Sequence, residues 1–159
     1  MITAIDTNIL LDILIPGEPF APGSQALLEH HLERGALIVC EAVYAELASH
    51  FPSEKVLETF FADTGIQLAP SNEATLYLAG SKWTEYARKT ARNKWTCNRC
   101  GNTFATQCPR CGASVTKRLH VLSDFLIGAH ALRQADCLLS RDFGIYKTHF
   151  KTLKVLGAP

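Results

Sequence analysis

Apolar residues along this chain fall into short runs and longer periodic stretches, which predict strands and helices in alternation. The short runs predict buried strands at residues 2–5, 36–40, 66–69 and 137–140, with a short edge strand at 153–156. Helical spacing predicts helices at residues 7–14, 25–34, 41–51, 54–64, 72–92 and 119–134. Because alternating strands and helices are joined by crossovers, we expect a three-layer α/β/α fold with a parallel sheet of about four strands.

The size and composition of the chain suit one compact domain with a small appendage. It has 159 residues, of which 47% are hydrophobic. No apolar run reaches the length of a membrane span. The apolar start is interrupted by Asp6 and Asp12 and lacks the features of a signal peptide. We therefore expect a cytoplasmic protein without membrane association.

Four carboxylates stand where the pattern predicts a core. Asp6 directly follows the first strand, and Asp142 comes just after the strand at 137–140. Glu46 and Asp124 lie in helical stretches otherwise suited to packing. A carboxylate beside a core is costly unless it is paired or holds a cation. Taken alone, each acid also suits an ordinary role as a cap, a turn residue or a surface acid, but their joint placement favours a metal site.

The chemistry that needs such a cluster is phosphodiester hydrolysis. Mg²⁺ and Mn²⁺ prefer carboxylate oxygens. One ion can turn a water into a nucleophile near neutral pH, and a second, about 3.5–4 Å away, can stabilise the leaving oxygen. We therefore expect Mg²⁺ or Mn²⁺ as the catalytic cofactor.

Four segments resemble, in order, the motifs of the PIN-domain family, and most of all the VapC-type toxins of bacterial and archaeal toxin–antitoxin pairs. They are residues 5–10 (IDTNIL), 44–47 (YAEL), 124–131 (DFLIGAHA) and 139–142 (LSRD), and residues 143–150 (FGIYKTHF) also resemble that branch. The resemblance covers nearly all of the chain outside about residues 93–118.

This resemblance implies a PIN-like fold and a metal-dependent ribonuclease. It places the catalytic, metal-binding acids at Asp6, Glu46, Asp124 and Asp142, and polar supporting residues at Asn8 and Ser140. Many PIN proteins have a further acid shortly after the last Asp. Here Phe143 and Gly144 follow instead, which puts a fifth ligand in doubt.

Two CxxC knuckles, each followed by Gly, interrupt the pattern before the last long helix. The four thiols are those of Cys97, Cys100, Cys108 and Cys111. Their spacing predicts one structural Zn²⁺, with disulfides and an iron centre as less favoured alternatives, and four thiolates leave no open position for catalysis. We therefore divide the chain into a discontinuous PIN-like nuclease domain, residues 1–92 and 119–159, and an inserted zinc ribbon, residues 93–118.

The net charge of +1 conceals an uneven distribution. Residues 86–120 hold eight of the 16 Lys and Arg and no acid, so the remainder combines eight basic with 15 acidic residues, a formal −7. This basic segment is either a solvated charge run or a surface for RNA phosphates. The candidate RNA-binding residues are Arg92, Lys94, Trp95, Arg99, Arg110, Lys117 and Arg118. Trp95 is equally suited to packing over the zinc knuckles.

The remaining polar and thiol residues suit structural roles. We expect Cys40 and Cys137 to be buried core thiols and the adjacent His30 and His31 to lie on the surface. The spare acids Asp12, Glu41 and Asp136 could lie near the acidic site, but we expect them instead to act as caps or to be solvated.

The leading hypothesis is a ribonuclease that cleaves RNA, and the resemblance to VapC-type toxins implies that it is a toxin inhibited by an antitoxin protein and that it forms a homodimer. One alternative is a housekeeping RNA-processing nuclease, in which the ribbon grips a structured RNA. A second alternative, from another class, is a zinc-ribbon RNA-binding adaptor whose acidic site is idle.

Overall fold

A parallel five-stranded sheet forms the centre of the computed structural model, which describes residues 1–90, 95–96, 103–104, 107, 109–112 and 122–157. Its strands are β1 (Ile2–Ile5), β2 (Ala36–Val39), β3 (Gln67–Leu68), β6 (Cys137–Leu139) and β7 (Val155–Leu156). Their order across the sheet is β3-β2-β1-β6-β7, and every neighbouring pair is parallel. The four predicted buried strands are all present, and the short edge strand predicted near residue 155 joins the sheet as β7.

Seven helices lie along the described chain. They are α1 (Thr7–Leu14), α2 (Ala21–Leu32), α3 (Glu41–Ala48), α4 (Glu54–Thr64), α5 (Glu73–Thr90), α6 (Leu122–Gln134) and α7 (Phe143–His149). Within the described residues, no helix combines the length and apolarity required to cross a bilayer. The architecture confirms the predicted α/β fold.

Three helices differ from the prediction. Helix α3 ends at Ala48 rather than at residue 51, because the backbone N–H groups of residues 49–51 bond carbonyls three residues back in tighter turns. Helix α2 begins at Ala21 rather than at residue 25, because Pro22 sits in the first turn, where its missing N–H costs nothing. Helix α7 was not predicted at all. It has only seven residues, too few to show a clear apolar period.

The direction of the crossovers reverses beside β1. From β1 the chain moves outward to β2 and β3, and it then returns past β1 to place β6 on the other side. Ligands of open parallel sheets bind at such a switch point, outside the carboxyl ends of the strands. The ends of β1 and β6 are held together there, since the Asp6 backbone N–H donates to the Leu139 carbonyl at 2.9 Å.

Helix α6 is locked in place from two sides. Gly128 has no room for a Cβ against the Phe150 ring, so the helix packs closely on the segment that follows α7. On the other side, Nε2 of His130 donates to the Ala69 carbonyl at 2.8 Å, and the Gln134 amide donates to the Pro70 carbonyl at 3.1 Å. These contacts fix the helix whose first turn carries Asp124.

Buried polar groups elsewhere only partly match the prediction. Cys40 and Cys137 are core thiols, as predicted, and burial raises the pKa of Cys40 to about 11. His30 is exposed, but the prediction was wrong for His31, which is buried with its Nδ1 3.0 Å from the Thr3 hydroxyl. His31 therefore faces the sheet, where it contacts Thr3 of β1.

The range assigned to the zinc ribbon contains a small hairpin. Strand β4 (Trp95–Thr96) pairs antiparallel with β5 (Thr103–Phe104), with Trp95 opposite Phe104. Cys97, Cys100 and Cys108 lie outside the described residues, and Cys111 is exposed in a short turn. The zinc site and the domain boundaries therefore stay predictions.

Candidate active site

The carboxylate of Asp6 is buried at the carboxyl end of β1. Only 6% of the residue is exposed. Its Oδ2 accepts three side-chain hydrogen bonds, from Nδ2 of Asn8 at 2.7 Å, the Ser140 hydroxyl at 2.6 Å and the Tyr146 hydroxyl at 3.0 Å. Although Asp6 stands at the N-cap position of α1, its side chain does not cap the helix. The carboxylate is therefore engaged by these three side chains rather than in capping the helix.

Burial dominates the ionisation of Asp6. Loss of solvent raises the pKa of Asp6 to about 6, and the negative charge of Asp124 contributes in the same direction. Hydrogen bonds from Ser140, Tyr146 and the Thr7 backbone act against this rise. The site therefore carries a carboxylate whose charge is costly in the absence of a cation.

Asn8 and Ser140, the two predicted supporting residues, join β1 to the loop after β6. The Asn8 amide donates to Asp6 and, at 3.2 Å, to the Ser140 hydroxyl, while its carbonyl accepts from the Arg141 backbone at 3.1 Å. Ser140 donates to Asp6 and accepts from the Asp142 backbone N–H at 2.9 Å. Both side chains thus hold the orientation of Asp6.

Asp142 caps helix α7. Its Oδ1 accepts from the backbone N–H groups of Gly144 at 3.0 Å and Ile145 at 3.3 Å. The turn role considered for Asp142 is therefore real, but both of these bonds use one oxygen. Oδ2 takes part in neither of these two bonds.

The other two acids reach the site from α3 and α6. Glu46 is half-buried and accepts a short hydrogen bond from the hydroxyl of Thr7. Thr7 directly follows Asp6 in the chain. Asp124 is half-buried in the first turn of α6, and its charge acts on both Asp6 and Tyr146. The structure thus places all four predicted acids around the ends of β1 and β6.

Tyr146 is a member of this site that the sequence did not single out. It is 1% exposed, and its hydroxyl ends on the Asp6 carboxylate. Burial, and then the charge of Asp6, raise the pKa of Tyr146 well above its usual range. Its position four residues after Asp142 was a weak signal, because helix α7 itself was not predicted.

Asp12 is the second unpredicted feature, and the expectation that it would cap or be solvated was wrong. It is 1% exposed, accepts from the Ser24 hydroxyl at 2.6 Å and pairs with Arg141. The other two spare acids do bind backbone N–H groups, Glu41 that of Ser71 and Asp136 that of Ile2. The ion pair with Arg141 explains why Asp12 tolerates burial. Glu41 and Asp136 are not buried, so neither needs such a partner.

The donor chemistry fits a hard divalent cation, although no ready-made cage exists. The four acids offer only carboxylate oxygens, the ligands that Mg²⁺ and Mn²⁺ prefer. Across the described part of the chain, no three Asp, Glu, His or Cys side chains are grouped so as to hold an ion as they stand. Mg²⁺ needs only one or two protein carboxylates and keeps several waters. The residues therefore fit the metal, and its binding stays a prediction.

Most of the predicted RNA-binding residues fall in the part of the chain that the structure does not describe. Arg92, Lys94, Arg99, Lys117 and Arg118 lie outside the described residues. Trp95 lies in β4, and Arg110 is exposed beside Cys111.

Comparison with known proteins identifies the fold through solved structures alone. No family model matches the chain, and no curated protein matches it in sequence. VapBC2 from Rickettsia felis, bound to a DNA fragment from their promoter, matches with a TM-score of 0.62 at 16% identity over 100% of both chains.

Two further structures agree with this match. FitAB bound to the IR36 DNA fragment gives a TM-score of 0.61 at 15% identity, over 99% of this chain and 94% of that one. VapBC-1 from nontypeable Haemophilus influenzae gives 0.59 at 18% identity, over 99% and 98%. At such low identity, these likenesses establish that the chain shares the PIN-like fold of these structures.

Proposed function

We propose that this chain is a divalent-metal-dependent endoribonuclease and the toxin of a type II toxin–antitoxin pair. One observation carries the proposal. A buried carboxylate, Asp6, stands at the switch point of the sheet with its Oδ2 held by three donors. A fold has no structural need for such a charge, which is costly to bury unless it holds a cation.

Four residues would hold the metal: Asp6, Glu46, Asp124 and Asp142. When bound, Mg²⁺ or Mn²⁺ would supply an activated water and stabilise the charge that develops on the leaving oxygen. The chain's own residues would set the geometry, since Asn8 and Ser140 orient Asp6 and the Thr7 hydroxyl orients Glu46. The cap on α7 leaves one oxygen of Asp142 for the same task.

RNA is the proposed substrate because the charges of the chain divide between two regions. Outside residues 86–120 the formal charge is −7, so a polyanion is repelled from the four acids until cations compensate. The basic segment supplies those cations. Arg88 and Arg110, the two of its arginines whose side chains are described, are both exposed.

An antitoxin protein is the proposed partner. The solved chains that share this fold are named in pairs, VapBC and FitAB, two of them on DNA. Each likeness spans at least 94% of both chains, so this chain has the extent of one member of such a pair. We also expect a homodimer, by the resemblance to VapC-type toxins.

Brief induced expression, followed by sequencing of RNA 5′ ends, tests the proposal. We expect growth arrest and new 5′ ends at a recurring sequence, both absent with Asp6→Asn and both suppressed by the protein encoded next to this one. Cleavage confined to the maturation of one structured RNA, without growth arrest, would favour the housekeeping alternative. Unchanged RNA ends with soluble, folded protein would support the idle adaptor.

A further inference from the structure

The three donors to Asp6 Oδ2 come from three different parts of the fold. Asn8 lies in α1, Ser140 follows β6 and Tyr146 lies in α7. Three hydrogen bonds to one oxygen fix both the position and the rotation of a carboxylate. Oδ1, which takes none of the three, is thereby aimed in a single direction.

Tyr146 is held by aromatic packing as well as by its hydrogen bond. It is fully buried, and its ring lies 6.5 Å from that of Phe150, in the segment against which Gly128 packs. Its helix starts at the Asp142 cap, and Asp142 is also tied to Ser140 through its backbone N–H. A shift of Tyr146 would therefore move the Asp142 end of the site together with the hydrogen bond to Asp6.

We propose that Tyr146 is a positioning residue, whose hydroxyl holds Asp6 so that Oδ1 is presented to the divalent ion. The inference rests on the metal site proposed above. Tyr146 would act on that ion only through Asp6, to which its hydroxyl donates. Groups that orient metal ligands in this way are worth about 10-fold to 100-fold in affinity.

Calorimetric titration of the full chain with Mn²⁺ tests the assignment. Tyr146→Phe keeps the ring and removes only the hydroxyl, so we expect Mn²⁺ affinity to fall about 10-fold in a chain that still melts cooperatively before metal is added. Tyr44→Phe is the matched control. It makes the same chemical change in a ring that stacks on Phe61, 5.2 Å away in α4, and its affinity should equal that of the parent chain.

A second measurement needs no variant at position 146. The chain has four tyrosines, so the ¹³Cζ signal of Tyr146 can be assigned by elimination. On titration with diamagnetic Mg²⁺, that signal should shift with the same Kd that calorimetry gives for Mg²⁺. A signal that does not respond to saturating Mg²⁺ would overturn the positioning role even if Tyr146→Phe failed to fold.

The possible failures are distinguishable. If the parent chain binds Mn²⁺ and Tyr146→Phe binds it with the same Kd, the positioning role is wrong while the metal site stands. If the parent chain binds no Mn²⁺, the proposed metal site is wrong and this inference falls with it.

Discussion

Arg141 forms an ion pair with the buried carboxylate of Asp12, with Nη2 2.8 Å from Oδ1. Its guanidinium also lies 4.4 Å from the centre of the Phe20 ring. Because Arg141 stands between Ser140 and Asp142, this pair anchors the segment that follows β6 to helix α1, and the Phe20 contact links that segment to the start of α2. The same segment is also held by the hydrogen bonds that join Ser140 to Asp6 and Asn8.

The ion pair predicts a loss of stability when Arg141 is removed. Arg141→Met leaves the Asp12 charge buried, so the free energy of unfolding in urea should fall by about 2–3 kcal/mol, less than for a fully buried pair because Arg141 is 34% exposed. Adding Asp12→Asn should restore part of the loss. Arg133→Met, an exposed arginine on α6, serves as the control. Equal stabilities for the two single variants would contradict the anchor.

The raised pKa of Asp6 predicts an unusual dependence of stability on pH. The folded state keeps a proton on Asp6 up to about pH 6, whereas the unfolded chain releases it near 3.8. The folded chain therefore binds more protons between these values, and the Asp6 contribution to stability falls as pH rises through this window. The shift corresponds to about 3 kcal/mol at most.

Asp6→Asn isolates this contribution. In EDTA at pH 8 the variant should be more stable than the parent chain, because Asn can still accept the three hydrogen bonds without a buried charge. The advantage should vanish toward pH 4. Asp63→Asn, at an exposed position of α4, should show no such trend. A variant that is less stable than the parent at pH 8 would show that the charge is already compensated.

The cysteine knuckles predict one Zn²⁺ per chain. Metal analysis of protein purified without chelator should give a stoichiometry near one. Cys97→Ser should release the metal and disorder the insert, because zinc binding supplies its folding energy. The parallel sheet should stay intact, as the far-ultraviolet circular dichroism and a cooperative melt would report. A stoichiometry near zero, or two disulfides by mass spectrometry, would contradict the site.

The basic segment predicts steep salt dependence of RNA binding. Reversing Arg92, Lys94, Arg99 and Arg110 to Glu should weaken RNA binding and flatten the slope of affinity against salt concentration, since phosphate contacts release counterions. Mn²⁺ binding at the acidic site should survive. Unchanged affinity and slope would instead favour a dimer contact or an antitoxin surface.

The parts of this molecule that sequence could predict are those set by local pattern. The apolar run that ends at Asp6 predicted strand β1 correctly. It also predicted that the Asp6 carboxylate lies at the edge of the sheet where the carboxyl ends of the parallel strands meet. Gly65 ended α4 at the predicted residue, since only glycine adopts its left-handed backbone cheaply. These features depend on a few neighbouring residues.

The parts that sequence missed depend on distant contacts. The burial of Asp12 follows from Arg141, which lies far along the chain, and that of His31 from Thr3 in β1. The Tyr146 hydroxyl meets Asp6 only because β1 and β6 are neighbours in the sheet. No local pattern encodes such pairs.

The most direct test of the account is cleavage of a single-stranded RNA by the purified chain with Mn²⁺. We predict that the chain cleaves internally, that excess EDTA abolishes cleavage, and that Asp6→Asn and Asp124→Asn each lower the rate about 100-fold or more while remaining folded. Asp63→Asn should cleave like the parent chain. Full activity of Asp6→Asn, or cleavage that persists in EDTA, would contradict the central claim that these carboxylates form a metal-dependent nuclease site.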